Sequence, residues 1–160
     1  MTAERVFVGL GANLGDPRAT LEHALEALAD VPQTRRVAVS PLYRSGPVDA
    51  TGPDFVNAVA ELRTALAPRE LLQALQAIEQ THGRQRPYRN APRTLDLDLL
   101  LYGERIIDEP GLTVPHPRLQ GRAFVLRPLA DLAPDLVHPR LGRLDAFRDA
   151  VADQPIEVLS

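Results

Sequence analysis

The sequence predicts an α+β fold, a ferredoxin-like sandwich in which helices pack on a mainly antiparallel sheet. The main observation is order: short β-type runs and two helical patterns follow one another as strand-helix-strand-strand-helix-strand. The second is size. A chain of 160 residues, 44% apolar and 24% charged, suits one compact domain with a true core. No stretch reads as a linker, so residues 1–160 are expected to form a single domain. With only 4% aromatic residues, that core must be built mostly of Leu, Val and Ala.

Arg5 to Val8 reads as the first strand, ending in the glycine-rich stretch "GLGANLGD" as a turn. A helix follows, with Asp16 as N-cap and Pro17 in the first turn. Leu21, Ala24, Leu25 and Leu28 recur at helical spacing and give it one apolar face, and Pro32 marks its end. "RRVAVSPLYR" and "DFVNAVAEL" predict two strands joined by a Gly- and Pro-punctuated loop, Ser45 to Pro53. The second helix is expected from Pro68 to His82, burying Leu71, Leu72, Leu75 and Ile78, with Gly83 as its stop. An arginine-rich loop leads into a strand from Thr94 to Tyr102. Beyond it, "ERIID" reads as an edge strand, Phe124 to Leu132 as a helix broken by Pro128, and Leu144 to Val151 as a last amphipathic piece. "HPRLQGR" and "HPRLGR" echo each other, but the match is short and reads as coincidence.

A net charge of −3 argues against a nucleic-acid or membrane-surface binder. Without Cys there is neither a disulfide framework nor a thiolate metal site. The start "MTAERVFVGL" lacks the pattern of a signal peptide, and no apolar run reaches the length of a membrane span. The expectation is a cytoplasmic monomer acting on small molecules.

The chemistry concentrates in "RTLDLDLLLYG". Asp is disfavoured in strands and costly to bury, so two of them need a reason. In a helix Asp96 and Asp98 would diverge; in a strand they share one face, about 6.5–7 Å apart along the backbone. Leu95, Leu97, Leu99 and Leu101 would then line the other face, under a helix. Paired carboxylates repel unless a cation lies between them, and Mg²⁺ takes oxygen ligands from a few carboxylates, waters and phosphates. The plain alternative is that both acids pair with Arg at a sheet edge. The upstream "GRQRPYRNAPR" places Arg84, Arg86, Arg89 and Arg93 just before the strand, which suits a polyphosphate beside a metal platform.

"APRTLDLDLLLYG", with "GLGANLGD" and "LTVPHPRLQGRAFVLRPL", resembles the 6-hydroxymethyl-7,8-dihydropterin pyrophosphokinase family of folate biosynthesis over most of the chain. The resemblance implies the same ferredoxin-like fold. It also implies transfer of the β,γ-pyrophosphoryl group of ATP to the hydroxymethyl oxygen of 6-hydroxymethyl-7,8-dihydropterin, with release of AMP. Carried over by position, Asp96 and Asp98 would hold two Mg²⁺ ions, and Asp98 would lie nearer the attacking hydroxyl. Arg84 and Arg93 would neutralise the transferred group. Glu79 and Arg86 match the ATP side, His116 and Arg122 reach the phosphates, and Leu99, Leu112 and Thr113 correspond to the adenine pocket. On the pterin side, Asn57 would meet the polar edge, Ser45 and Val48 would add main-chain or packing contacts, and Phe55 and Phe124 would sandwich the ring. The arginine loop is one residue shorter than in familiar members, so Arg89 and Asn90 have no clear counterpart.

Other readings make distinct demands. In "GLGANLG" the spacing of Gly9, Gly11 and Gly15 is one position too long for a dinucleotide fingerprint. A two-metal nucleotidyl transferase or nuclease would also use paired Asp, but with a broad basic surface. A non-enzymatic ferredoxin-like ligand-binding module would leave both acids paired with Arg. His23 and His82 are expected on solvated helix faces, and His138 in a structural loop.

Overall fold

A computed structural model of the chain describes residues 3–46, 54–82 and 95–159. Val48, Gly83, Arg84, Arg86, Arg89, Asn90 and Arg93 lie outside the described residues. The first strand, β1 (Glu4–Ala12), runs straight through Gly9 and Gly11 instead of turning there. Its ladder partners on both sides hold those glycines extended, overriding their local preference for turns.

Helix α1 (Pro17–Ala29) forms as its periodicity predicts, with Leu21, Ala24, Leu25 and Leu28 buried. The Asp16 carboxylate accepts from the Ala19 N–H at 3.1 Å, a cap worth about 1 kcal/mol. "RRVAVSPLYR" is not one strand but two, β2 (Thr34–Val39) and β3 (Tyr43–Ser45). Pro41 has no N–H for a ladder. Ser40 bridges the break: its N–H donates to the Val59 carbonyl at 2.9 Å, and its Oγ accepts from the Val59 N–H at 3.0 Å. Both strands pair with the long β4 (Phe55–Thr64).

Helix α2 (Pro68–His82) buries Leu71, Leu75 and Ile78, with Leu72 half-buried beside them. Strand β5 (Asp96–Tyr102) pairs with β1. All pairings in the main sheet are antiparallel. Its order is β10-β3-β4-β1-β5, with β2 also on β4 and β10 (Ile156–Val158) against β3. This is the ferredoxin-like arrangement that the order of elements predicts, extended by β10.

"ERIID" does not edge the main sheet. Its end forms β6 (Ile107–Glu109), which pairs with β7 (Leu112–Val114) in a separate two-stranded sheet. Pro128 does not break α3 (Ala123–Leu132), although it removes one donor. Val125, Leu126, Pro128 and Leu129 are all buried along that helix, and their packing holds it continuous. Val137–His138 and Gly142–Arg143 pair as β8 and β9. The stretch Leu144 to Val151 is two short 3-10 turns that bury Leu144 and Val151.

The sheet has a core on each face. Val6, Val8, Leu10, Leu95, Leu97 and Leu99 pack with the buried sides of α1 and α2. Phe7, Val59, Leu100 and Leu101 pack with α3 and the 3-10 turns. Leu101 is thus on the opposite face from the one alternation predicts. A bulge explains it: Val8 faces Leu99 and Phe7 faces Leu101, so Leu100 is the surplus residue. The Tyr43 hydroxyl donates to the Asp131 carboxylate and ties β3 to α3. Burial, with the Asp131 bond second, pushes that phenol up to about 12, so it remains a donor.

Candidate active site

Register across the sheet builds the site. Tyr43, Asn57, Gly11 and Asp96 lie side by side on β3, β4, β1 and β5. The next row is Val59, Gly9 and Asp98. Rows of partners share a face, and neighbouring strands stand about 4.8 Å apart. Both carboxylates therefore project from the α3 side, next to two positions that carry no side chain. Asp96 and Asp98 are half-buried there.

Above these rows is a cavity of about 190 Å³ lined by Gly9, Gly11, Ser45, Gly46, Phe55, Asn57, Asp96, Asp98, Arg122 and Phe124, among others. Asn57 is 4% exposed and Ser45 5%. The Ser45 hydroxyl donates to Asn57 Oδ1 at 2.5 Å, which leaves the amide NH₂ as the ligand-facing donor. A Cβ on Gly11 would stand 3.1 Å from Asn57 Nδ2. Phe55 enters from the start of β4, and Phe124 from the first turn of α3. The Arg122 guanidinium lies over the Phe124 ring, 5.4 Å from its centre, and adds positive charge to the same wall.

His116 stands at the border. Its backbone N–H donates to the Leu100 carbonyl at 2.9 Å, and its ring Nδ1 accepts from the Arg118 N–H at 3.1 Å. The ring thus keeps its proton on Nε2. Burial lowers its pKa, the Asp98 charge opposes that shift, and Arg122 and Arg118 add to it. Neutral imidazole is the resting form.

Sequence-predicted residues therefore divide. Ser45, Phe55, Asn57, Asp96, Asp98, Arg122 and Phe124 meet in one cavity. Thr113 and His116 line a neighbouring one of about 270 Å³. Leu99 and Leu112 are buried in the core under α1 and α2. Glu79 is 4% exposed and its carboxylate accepts from the Leu97 N–H at 2.9 Å, bonding α2 to β5.

The sequence profile of the 7,8-dihydro-6-hydroxymethylpterin-pyrophosphokinase (HPPK) family matches residues 7–134. The chain belongs to the HPPK family. A Pseudomonas aeruginosa protein named 2-amino-4-hydroxy-6-hydroxymethyldihydropteridine pyrophosphokinase is 59% identical over 157 residues, 98% of this chain and 97% of its own. A Synechocystis protein of the same name is 48% identical over 136 residues, 85% of this chain and 70% of its own. Among solved structures, Plasmodium falciparum HPPK-DHPS with pteroate superposes with a TM-score of 0.73 over 92% of this chain, at 12% identity. The chain spans 42% of that longer chain, and the likeness supports the HPPK fold.

Within this HPPK fold the residues that sequence reasoning missed are Gly9, Gly11 and Gly46 in the cavity lining. For Gly9 and Gly11 the signal lay in "GLGANLGD", whose glycines look like a turn until their partners Asn57, Asp96 and Asp98 are known. The HPPK profile also stops short of the C-terminal segment that supplies β10.

Proposed function

We propose that the cavity over Asp96 and Asp98 is where this chain carries out the reaction of its family. That reaction transfers the pyrophosphoryl group of ATP to the hydroxymethyl oxygen of 6-hydroxymethyl-7,8-dihydropterin in folate biosynthesis, leaving AMP. The observation that carries the assignment is the row Asn57–Gly11–Asp96, which sets a buried amide and a carboxylate on one floor.

Asp96 and Asp98 would hold Mg²⁺, two ions in this reading. The donor set fits: two half-buried carboxylates on one face and, among the described residues, no group of three or more His, Cys, Asp or Glu that would form an all-protein cage. Mg²⁺ favours few carboxylates plus waters and phosphates. When bound, the metal supplies charge neutralisation for the triphosphate.

The protein's own groups do the rest. Phe55 and Phe124 would stack on the flat ring, each pair contributing on the order of 1 kcal/mol beyond its area burial. Asn57, held by Ser45, donates its NH₂ to an acceptor on the pterin edge. Val48 is assigned beside them by resemblance. Asp98, across from Gly9, is the carboxylate assigned to take the hydroxyl proton. Arg122 and the Nε2–H of His116 would bind phosphate oxygens, and Arg84, Arg86 and Arg93 would add positive charge. Thr113 would border the adenine, Leu99 and Leu112 are assigned to that side by resemblance from within the core under α1 and α2, and Glu79 would act there indirectly, by fixing β5 against α2. Positioning and electrostatics suffice for such transfer, with no covalent intermediate on the protein. We assign the chain a single domain, a monomeric state and a cytoplasmic location; no described helix is long and apolar enough to cross a membrane.

The test is the nucleotide product. Incubation with MgATP and the reduced pterin should yield AMP and pyrophosphorylated pterin, and omission of Mg²⁺ should abolish both. ADP as product would overturn the reading. Asp98→Ala should lose at least about a hundredfold in turnover while its circular dichroism is unchanged.

A further inference from the structure

Helix α3 begins with unsatisfied backbone donors, as every helix does. Its N-cap residue is Arg122, whose side chain makes no capping bond. A glutamine far along the chain takes that place. Gln154 Oε1 accepts from the Ala123 N–H at 2.9 Å, and Gln154 Nε2 donates to the Gly121 carbonyl at 2.9 Å. One amide thus grips the residues immediately before and after Arg122.

The grip is itself anchored. The Gln154 N–H donates to the Val151 carbonyl at 3.0 Å, and Val151 is buried under α3. Two residues beyond Gln154, β10 begins with Ile156 opposite Ser45. Gln154 also lines, with Ser45, Arg122 and Phe124, a cavity of about 600 Å³ that adjoins the site. The same short segment therefore touches the strand carrying Ser45 and the helix start carrying Arg122 and Phe124.

We propose that Gln154 is a positioning residue for the pyrophosphoryl transfer: its side-chain amide sets the backbone around Arg122, and so aims Arg122 at phosphate and Phe124 at the ring. This rests on the roles given above to Arg122 and Phe124. Arg122 leaves the helix in an extended conformation, with φ −127° and ψ 113°, outside the helical ladder. Nothing in its own turn fixes that angle by a side-chain bond; Gln154 does so from both sides.

Steady-state kinetics on Gln154→Leu, Gln154→Glu, Arg122→Ala and the Gln154→Leu/Arg122→Ala pair test this, with melting curves beside them. Gln154→Leu keeps bulk but neither bond, and should lose about tenfold in kcat/KM, the scale of a small misplacement. Gln154→Glu keeps the acceptor for Ala123 beside the positive helix end but sets a carboxylate oxygen against the Gly121 carbonyl, and should recover only part of that loss. The double variant should fall well short of the product of the two single losses, because the part carried through Arg122 is lost only once and only the part through Phe124 is added. Additive losses, or a Gln154→Leu enzyme equal to wild type beside an impaired Arg122→Ala, would overturn the proposal. An unimpaired Arg122→Ala would instead defeat the phosphate role of Arg122. If Gln154→Leu fails to fold, Gln154→Glu with and without Arg122→Ala makes the same comparison.

Discussion

Gly11 admits a methyl group beside Asn57 only if the amide gives way. A Cβ there would lie 3.1 Å from Nδ2, and the amide cannot swing freely because Ser45 holds its other end. Gly11→Ala is therefore expected to raise the pterin KM by about tenfold, the usual worth of one misplaced methyl in a binding pocket. The KM for ATP should stay within about twofold of wild type. Varying each substrate in turn checks this, and equal changes in both would locate the effect in the fold instead. The acid pair was legible in the sequence because alternate residues of a strand share a face. Asn57 and the two phenylalanines were named from resemblance, and they do meet Asp96 and Asp98 in one cavity. The glycines were not legible, because local preference makes a glycine-rich stretch a turn. Only the strands on either side of β1 show why side chains are absent there.

The two His-Pro-Arg segments show how an element's meaning can hide in a short match. In both, the imidazole Nδ1 accepts a backbone N–H two residues on, from Arg118 in one and from Arg140 in the other. The echo is thus a repeated turn device, not a repeated fold, and both copies line the cavity that holds Thr113. His138 is 6% exposed, and burial first, then Arg140, lowers its pKa below the ordinary 6.5. Below that value the unfolded chain binds more protons than the folded one, so this contribution is intact above about pH 6.5 and is lost as pH falls through the folded value. Melting temperature should accordingly drop from about pH 7 to pH 5, and His138→Asn, which keeps an acceptor but does not titrate in this range, should flatten the drop. Thermal melts across that window check it; a slope equal to wild type would count against the turn as the source. The main helices and strands were readable from period and caps. The edge role given to "ERIID" and the break given to Pro128 were not, because each was settled by packing partners distant in the chain.

At the scale of the whole molecule, α1 and α2 cover one face of the sheet, and α3 with the C-terminal turns covers the other. The last of these elements, β10, closes the sheet beside β3. Ending the chain at Ala152 would remove both β10 and Gln154. We expect a melting temperature lower by at least about 4 °C and a weakened pterin affinity. Calorimetry and a binding titration of the shortened chain would reveal either one without the other. The order of elements made the ferredoxin-like class readable, but the polar and short terminal segment carried no period to betray its strand. One detail of β5 separates outline from reactivity. Leu100 is the residue without an opposite number on β1, and its spare carbonyl is what tethers His116. A chain one residue shorter at that point would keep every other side chain of the strand on its present side. It would inherit the same strand faces and lose its hold on the His116 backbone, so ancestry of shape and ancestry of chemistry can part company at a single codon.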